Sequence, residues 1–510
     1  MAQEIYAGMF YLAGKSAVAA GRNPFTIANP PSPEWERELH AFGWLRHLGS
    51  TGEAISATNA QALVKDWIAA HPRPRSHLPA WDLEIAASRL IAWLCNSVML
   101  VEHADITAYR RLMRAIGHHV RYLRSRAGSA REGMPRLVTH AALAYADVCL
   151  AGARFGIRGA QNALDSELSS QILADGGHVS RNPAVLPEIL ALLLPLRQSF
   201  ARLGKAPSTE LISAIDRMMS AVRFFRMGDG SLARFNGASG TAFDLVTTVL
   251  RYDDTNGQVP TNAPFSGYQR LVGGETVIVM DTGRPLTGKL SETAHAGTLS
   301  FEMSSGAAQI IVNCGAPPPG NAEATLAARS TAAHSTAILN DTSSCKFQIG
   351  KSFGRKLDPV ILSGPSTVRC QRQESEGIEL LHASHDGYER AFGFIHERQI
   401  GLSADGAVLI GSERLRDTGA PDSTGDRPRD AVAVRFHLHP SVEAIQEEDG
   451  SIGLRCANGE DWQFTCADIA PELEDSIFFA NSNGARRTTQ IALYFSALEK
   501  PELRWKMRRQ

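Results

Sequence analysis

The chain has 510 residues, 44% hydrophobic and 21% charged, with 52 Lys+Arg against 53 Asp+Glu and a net charge of −1. That length exceeds one ordinary core and leads us to expect two domains. The balanced charge excludes a global basic field for nucleic acid or a membrane surface and leaves only a local basic cleft for an anionic ligand.

The N-terminal stretch MAQEIYAGMFYLAGKSAVAAGRN has no basic region ahead of an apolar run. No segment approaches the roughly 20 apolar residues of a membrane span. The seven cysteines (Cys95, Cys149, Cys314, Cys345, Cys370, Cys456 and Cys466) are odd in number and show no CxxC spacing. They argue against a disulfide framework and fit a reducing compartment. A cytoplasmic chain is expected, with the periplasm as the alternative.

From about residue 35 to 225 the apolar period is helical. In 81–101, Leu83, Ala87, Leu90, Leu94, Val98 and Val101 recur at spacings of three and four. In 105–125, Ile106, Tyr109, Leu112, Ile116, Val120 and Leu123 do the same, with Asp105 as the N-cap. Further helices are predicted over 137–155, 159–173, 185–203 and 208–226, joined by short loops as antiparallel pairs. No short repeat suggests a solenoid.

Beyond FFRMGDGSLARFNG (224–237) and a turn-rich stretch to about 265, the pattern changes. GGETVIVMDTG (273–283), LSFEM, AQIIVN, STAILN, GLSADGAVLIGSE (401–413) and VRFHLHP (434–440) are short, β-branched and bounded by turn residues. They predict an antiparallel sandwich. We therefore expect a helical domain over 1–245 and a β domain over 246–510. Two histidines, His295 and His334, fall in adjacent β-type segments with Asn313 between them. Such a group is either a shared site or an imidazole–backbone network at a sheet edge.

The order of these segments resembles the heparinase II/III-like family of polysaccharide lyases. The resemblance is carried by PEWERELHAFGWL (33–45), WDLEIAASRLIAWL, ADGGHVSRNP (174–183), FFRMGDGSLARFNG, SGYQRLVGGETVIVMDTG (266–283), AHAGTLSFEM, AAHST (332–336), HDGYERAFGFIHER (385–398) and FHLHP (436–440). It implies an incomplete (α/α) toroid followed by a C-terminal antiparallel β-sandwich, with substrate in the cleft between them. It also implies β-elimination at a uronic acid of an acidic poly- or oligosaccharide. There a base removes the C5 proton, a donor neutralises the carboxylate and an acid protonates the leaving oxygen. Groups of this kind each supply roughly 10²–10⁴-fold, and stabilising the enolate-like charge is the other large contribution.

Carried over residue by residue, the family's Asn-His pair falls on Thr139-His140, and Val185 stands where a catalytic Tyr is expected. Thr293 replaces the first His of a His-x-His pair, leaving His295. Tyr268 and Tyr388 are candidates for the missing acid, each set against a half-buried packing role. His178 and Arg181, with Asn182 beside them, form a loop expected at the rim of the cleft, Arg181 binding a substrate carboxylate through its fork. Arg329 is a candidate for the cleft lining. The zinc that some members bind would fall to His295, Asn313 and His334, with Asn in place of a carboxylate. No organic cofactor, nucleic acid or membrane partner is expected. Oligomeric state is left open, a dimer being one option.

His437 and His439 share a strand face and read more readily as a polar ladder. His385 and His396 are too far apart for a local motif. Asp229 and Asn236 read as part of a clasp between domains. Two functions follow: a lyase centred on His140, or a catalytically weakened relative that binds acidic glycan without cleaving it. A hydrolase is a third class, but no carboxylate pair stands out.

Overall fold

The computed structural model describes residues 2–19, 21–102, 104–150, 159–253, 257–348, 350–352, 355–356, 359–419, 430–481 and 484–510. Contacts divide the chain into two compact units, Met1–Gln171 with Ala191–Ile215, and Ile172–Leu190 with Asp216–Gln510.

In the first unit the predicted segments 81–101, 105–125, 137–155 and 159–173 hold the helices Leu83–Cys95 with Ser97–Val101, Ile106–Arg126, Met134–Cys149 and Ala160–Gln171, residues 151–155 lying outside those described, and Pro33–Ala41 and Ala54–Ala70 are further helices. Their starts are chemically marked. Ser32 accepts from Trp35 N–H, Asp82 from Glu84 N–H, and Asp105 from Ala108 N–H at 2.7 Å, so side-chain oxygens satisfy amides that lack an intrahelical acceptor. Leu83–Cys95 packs on Met134–Cys149, which packs on Ala160–Gln171. Trp35, Trp67, Trp81 and Trp93 fill the core. The Arg89 guanidinium lies 3.9 Å from the Trp67 ring centroid and donates to His119 Nε2 at 2.9 Å. A short hairpin, Met9–Leu12 with Lys15–Val18, precedes the helices. Its turn residues Ala13 and Gly14 take φ of 47° and 72°. Without an Asn-Gly or Asp-Gly pair, that turn carried little sequence signal.

The second unit is built on two antiparallel sheets. One orders Glu472–Phe478, Arg486–Ser496, Ala431–Leu438, Ala308–Val312, Phe301–Ser305, Thr276–Asp281, Tyr268–Gly273 and Asn262–Ala263, with Ala337–Leu339 pairing Ala431–Leu438. The other orders Val368–Ser375, Ile378–Tyr388, Phe394–Ser403, Val408–Asp417, Glu502–Arg509, Asp461–Cys466, Ile452–Arg455 and Glu443–Gln446. Their inner faces share one core, in which Ile278, Met280, Phe301 and Ile310 of the first sheet meet Leu381, Ile400, Leu409 and Trp505 of the second. This is sandwich packing. The fold class is the expected one, a helical N-terminal region followed by antiparallel β-sheets. Among the described residues no helix is long and apolar enough to cross a membrane.

Two features depart from the sequence pattern. Secondary structure changes between Leu250 and Asn262, whereas the compact units divide at Ile172, Ala191 and Asp216. Segment 172–190 joins the β-rich unit because Asp175 accepts from the N–H groups of Phe265 and Ser266 at 2.8 and 2.7 Å. His295 and His334 are not strand residues. His295 lies between Gly288–Ser291 and Phe301–Ser305, and His334 follows the turn Thr331–Ala333. The sheet ends before these residues, and loops carry the imidazoles.

Candidate functional site

The β-rich unit encloses a continuous polar cluster running from Arg181 to His334. Arg181 takes a left-handed φ of 60°, a conformation that costs a non-glycine residue roughly 1–2 kcal/mol. The guanidinium offsets that cost. Nε donates to Ser266 O at 2.7 Å, Nη1 to Arg284 O at 3.0 Å and Nη2 to Gly267 O at 3.2 Å, while Nη2 also pairs with the Asp281 carboxylate. Gly283 makes room for it, since a Cβ there would sit 2.4 Å from Arg181 Nη2.

Tyr268 lies against this guanidinium, 4.8 Å from Cζ to ring centroid. Its hydroxyl donates to Arg181 O at 2.6 Å and accepts from Asn236 Nδ2 at 2.8 Å. Burial pushes its pKa far above the ordinary tyrosine range, so the phenol is a weaker acid than usual. Asn236 Oδ1 in turn accepts from His295 N–H at 3.1 Å. Asn236 also takes a positive φ, 50°, which asparagine tolerates better than most residues.

The imidazoles close the chain. His334 Nδ1 faces the Ser330 carbonyl at 2.7 Å, and its Nε2 stands 3.0 Å from His295 Nδ1. A carbonyl only accepts, so His334 carries its proton on Nδ1. His295 therefore donates from Nδ1, and its Nε2 is left as the lone-pair end. Burial lowers His334 to about 4 against the opposing pull of Ser330 O. Burial, with His334 and Arg329 adding to it, holds His295 well below the usual imidazole range. Both rings are neutral at neutral pH, and His295 Nε2 is a weak base.

The surrounding residues hold this pair in place. Arg329 is 1% exposed and donates to Ala294 O, Ser291 O and Pro359 O at 2.8, 2.6 and 2.7 Å. It secures the loop that carries His295 and is a positioning residue, not the cleft lining the sequence suggested. Asn313 spends its amide on backbone, accepting from Ser335 N–H at 3.1 Å and donating to Arg234 O at 3.2 Å. It fixes the residue after His334 and does not join the imidazoles as a donor. Gly297 admits the His334 ring, because a Cβ there would lie 2.6 Å from Cδ2.

These contacts answer the zinc expectation on chemical grounds. Two imidazole nitrogens with no carboxylate fall short of the donors a zinc site uses. Among the described residues no group of three His, Cys, Asp or Glu side chains is placed to hold a metal ion. Cys314 Sγ faces His437 Nδ1 at 3.5 Å instead. The residues present do not fit the metal.

The other predicted positions are equally occupied. His178 is 3% exposed, not at an exposed rim. Its Nδ1 accepts from Ser180 N–H at 3.1 Å, and burial pushes it down to about 4. Asn182 Oδ1 accepts from Ala184 N–H at 2.9 Å in a local turn. Tyr388 is buried and donates to Ala337 O at 3.0 Å. His437 is buried between Ser476 Oγ, at 2.8 Å from Nδ1, and Ala332 O, at 3.0 Å from Nε2. Thr293, in the place of a family histidine, is exposed, and Val185 is half-buried at the start of its helix.

Thr139 and His140 lie in the helical unit. The Thr139 hydroxyl is fully buried and donates back to Pro135 O at 2.7 Å. His140 is half-buried, and its Nδ1 is enclosed without a hydrogen-bond partner. Burial lowers its basicity, partly opposed by Glu167.

Sequence reasoning missed two members of this chemistry. Asn236 and Asp281 sit in quoted segments, but nothing local joins them to His295 and Arg181. It also missed a second array. Cross-strand register places His385 opposite His396, with His396 Nδ1 3.3 Å from His385 Nε2 and His396 Nε2 2.8 Å from Glu413. Arg398 donates from Nε to Glu413 at 2.8 Å and from Nη1 to Leu299 O and Ser335 O at 2.8 and 2.7 Å. The HDGYERAFGFIHER hairpin was the available signal.

A helical N-terminal region followed by antiparallel β-sheets packed as a sandwich is the heparinase III type of fold. The chain belongs to the heparinase II/III-like family: residues 256–506 match the family profile described as Heparinase II/III-like, C-terminal. It is 30% identical over 516 residues to FtsZ-localized protein C of Caulobacter vibrioides (strain NA1000 / CB15N), covering 99% of this chain and 87% of that one. In fold it is similar to heparan sulfate lyase HepC from Pedobacter heparinus, with a TM-score of 0.65 at 14% identity over 100% of this chain and 82% of the other. It is also similar to a heparinase III, with a TM-score of 0.71 at 14% identity over 96% and 79%.

Proposed function

We propose that this chain binds an acidic glycan through a heparinase fold whose elimination chemistry is weakened. The observation that carries this reading is the Thr139 hydroxyl, which donates to Pro135 O inside its own helix. Where the family resemblance implies an Asn neutralising the uronate carboxylate, this side chain is turned into the backbone. Val185 and Thr293 remove two further proton carriers, and Tyr268 is sealed between Arg181 O and Asn236.

The cleaving reading stays alive through His140, whose neutral ring has a buried Nδ1 with no partner. In that reading His140 is the base in β-elimination of a uronate-containing polymer. One experiment separates the two. The protein is incubated with heparan sulfate, polygalacturonate and alginate while absorbance near 232 nm is followed, and binding is measured on the same panel. Binding without an absorbance rise is the expected result. A rise that disappears in His140→Ala overturns the binder in favour of the lyase.

The similarity to an FtsZ-localized protein over nearly the whole chain supports a further part of the proposal, association with an FtsZ-based assembly. Cytoplasmic residence belongs to the same proposal, with all seven cysteines free. Co-sedimentation with FtsZ polymers tests this, and absence of the protein from the pellet would remove the partner.

A further inference from the structure

Arg89 carries a charge inside the helical unit that no acidic side chain matches. It is 0% exposed, and it meets His40 of Pro33–Ala41, Trp67 of Ala54–Ala70, Trp81 of the turn Pro79–Trp81 and His119 of Ile106–Arg126. Nε donates to His119 Nε2 at 2.9 Å and Nη1 to His40 O at 2.8 Å. Nη2 is buried and donates to no protein group. Neither partner is an anion. His119 Nδ1 faces Ala115 O at 2.8 Å, so that nitrogen keeps the proton and Nε2 offers a lone pair. His40 gives Arg89 only its carbonyl, while its Nδ1 accepts from Trp67 Nε1 at 3.1 Å.

The carboxylates of the surrounding segments are turned elsewhere. Asp82 and Glu84 pair with Arg37 at 3.8 and 3.2 Å, and Glu36 stands 4.0 Å from His40 Nε2. A guanidinium keeps its proton inside proteins, and a buried charge calls for an opposite one. Its position 3.9 Å from the Trp67 ring centroid and 5.2 Å from that of Trp81 offsets part of the lost hydration. It still leaves Nη2 without an acceptor.

Two more donors of the same cluster lack one. Trp81 Nε1 and Trp93 Nε1 are buried with no hydrogen-bond partner. Both rings pack on His119, at 4.7 and 5.0 Å between centroids, and on Trp67, at 5.5 and 5.4 Å. By contrast, Trp35, Trp44 and Trp67 donate to Phe10 O, Leu39 O and His40 Nδ1, so orphaned indoles are not the rule in this core. Trp81, Arg89 and Trp93 all belong to WDLEIAASRLIAWL, a segment to which the proposed glycan chemistry gives no role. Buried N–H groups need acceptors, and three of them around one cation suit an anion. Full burial favours a single-atom ion over a polyatomic one.

We propose that Arg89 Nη2, with the Trp81 and Trp93 N–H groups, holds a buried chloride ion that completes the core of the helical unit. The site is independent of the glycan reading. Chloride binds the folded chain and stabilises it by mass action.

The full chain, dialysed into sodium gluconate, is titrated with sodium chloride at constant ionic strength while its melting midpoint is followed. A saturable rise is expected, reproduced by sodium bromide. Trp81→Phe and Trp93→Phe each keep a ring and remove one donor, and the half-saturating chloride concentration is expected to rise about tenfold in each. Arg89→Met is expected to abolish the response, and the two tryptophan variants test the site if that chain does not fold. Crystals grown in sodium bromide are expected to show an anomalous peak beside Arg89 Nη2. A midpoint equal in chloride and gluconate, a response unchanged in both tryptophan variants, or no bromide peak at Arg89 overturns the proposal. The indole N–H groups would then be met by aromatic faces alone.

Discussion

His295 Nδ1 and His334 Nε2 stand 3.0 Å apart, and the proton between them belongs to His295 because His334 Nδ1 is turned to the Ser330 carbonyl. This order makes the pair a fixed neutral relay held by Arg329 and Asn313 from behind. Replacing His334 with Leu leaves the His295 N–H buried without an acceptor. A loss of about 1–3 kcal/mol is expected for such a group, read as a shift of the urea midpoint at constant slope. A midpoint unchanged from the parent would mean that the hydrogen bond contributes nothing.

Arg181 and Asp281, a hundred residues apart, form the ion pair that fastens segment 172–190 to the sheet. Arg181→Met strands a buried carboxylate and is expected to cost about 3–5 kcal/mol. Arg181→Met/Asp281→Leu removes both charges and should recover part of that loss. Denaturation of the single and double variants gives the coupling. If the double variant is less stable than Arg181→Met alone, the pair is not the source of the effect.

Acid should unfold this protein through its buried imidazoles. Burial holds His178 and His334 down to about 4 and His437 to about 3, against roughly 6.5 in an unfolded chain. Below about 6.5 the unfolded state takes up protons that the native state refuses, so their stabilisation is complete above that pH and lost as pH falls toward 4. The expected slope is about 1.4 kcal/mol per pH unit for each such histidine. Melting midpoints between pH 7.5 and 5 measure it, and His178→Gln should flatten the curve. A midpoint that rises on acidification would reverse the assignment.

Zinc and chelators should leave the melting midpoint of the purified protein unchanged, because the His295–His334 pair has no third strong donor. Metal analysis after purification without chelators provides the count. Stoichiometric zinc that disappears in His295→Ala would contradict the donor chemistry.

Much of the fold was legible because periodicity is a local property. The 3.6-residue apolar stripe and the Asp105 cap mark Ile106–Arg126, and alternating β-branched runs mark Thr276–Asp281 and Ala308–Val312. The candidate site was legible as residue types but not as partners. His295 and His334 stood out in sequence as related, and the structure joins them. Arg181 stood out as a carboxylate binder, and the carboxylate it meets is Asp281 of its own chain. His385 and His396 looked unrelated until the antiparallel register placed them opposite each other.

The sequence by itself determined the helical half, the main strands of the β half, the change between them, and the family. Tertiary structure alone decided which polar groups are consumed inside the protein. A buried guanidinium, amide or imidazole must find a partner wherever the folded chain supplies one. Those partners lie 100 residues from Arg181 at Asp281, 59 from His295 at Asn236 and 39 from His295 at His334. No local spacing encodes such separations, because only the crossing of loops over the sheets brings these groups within reach.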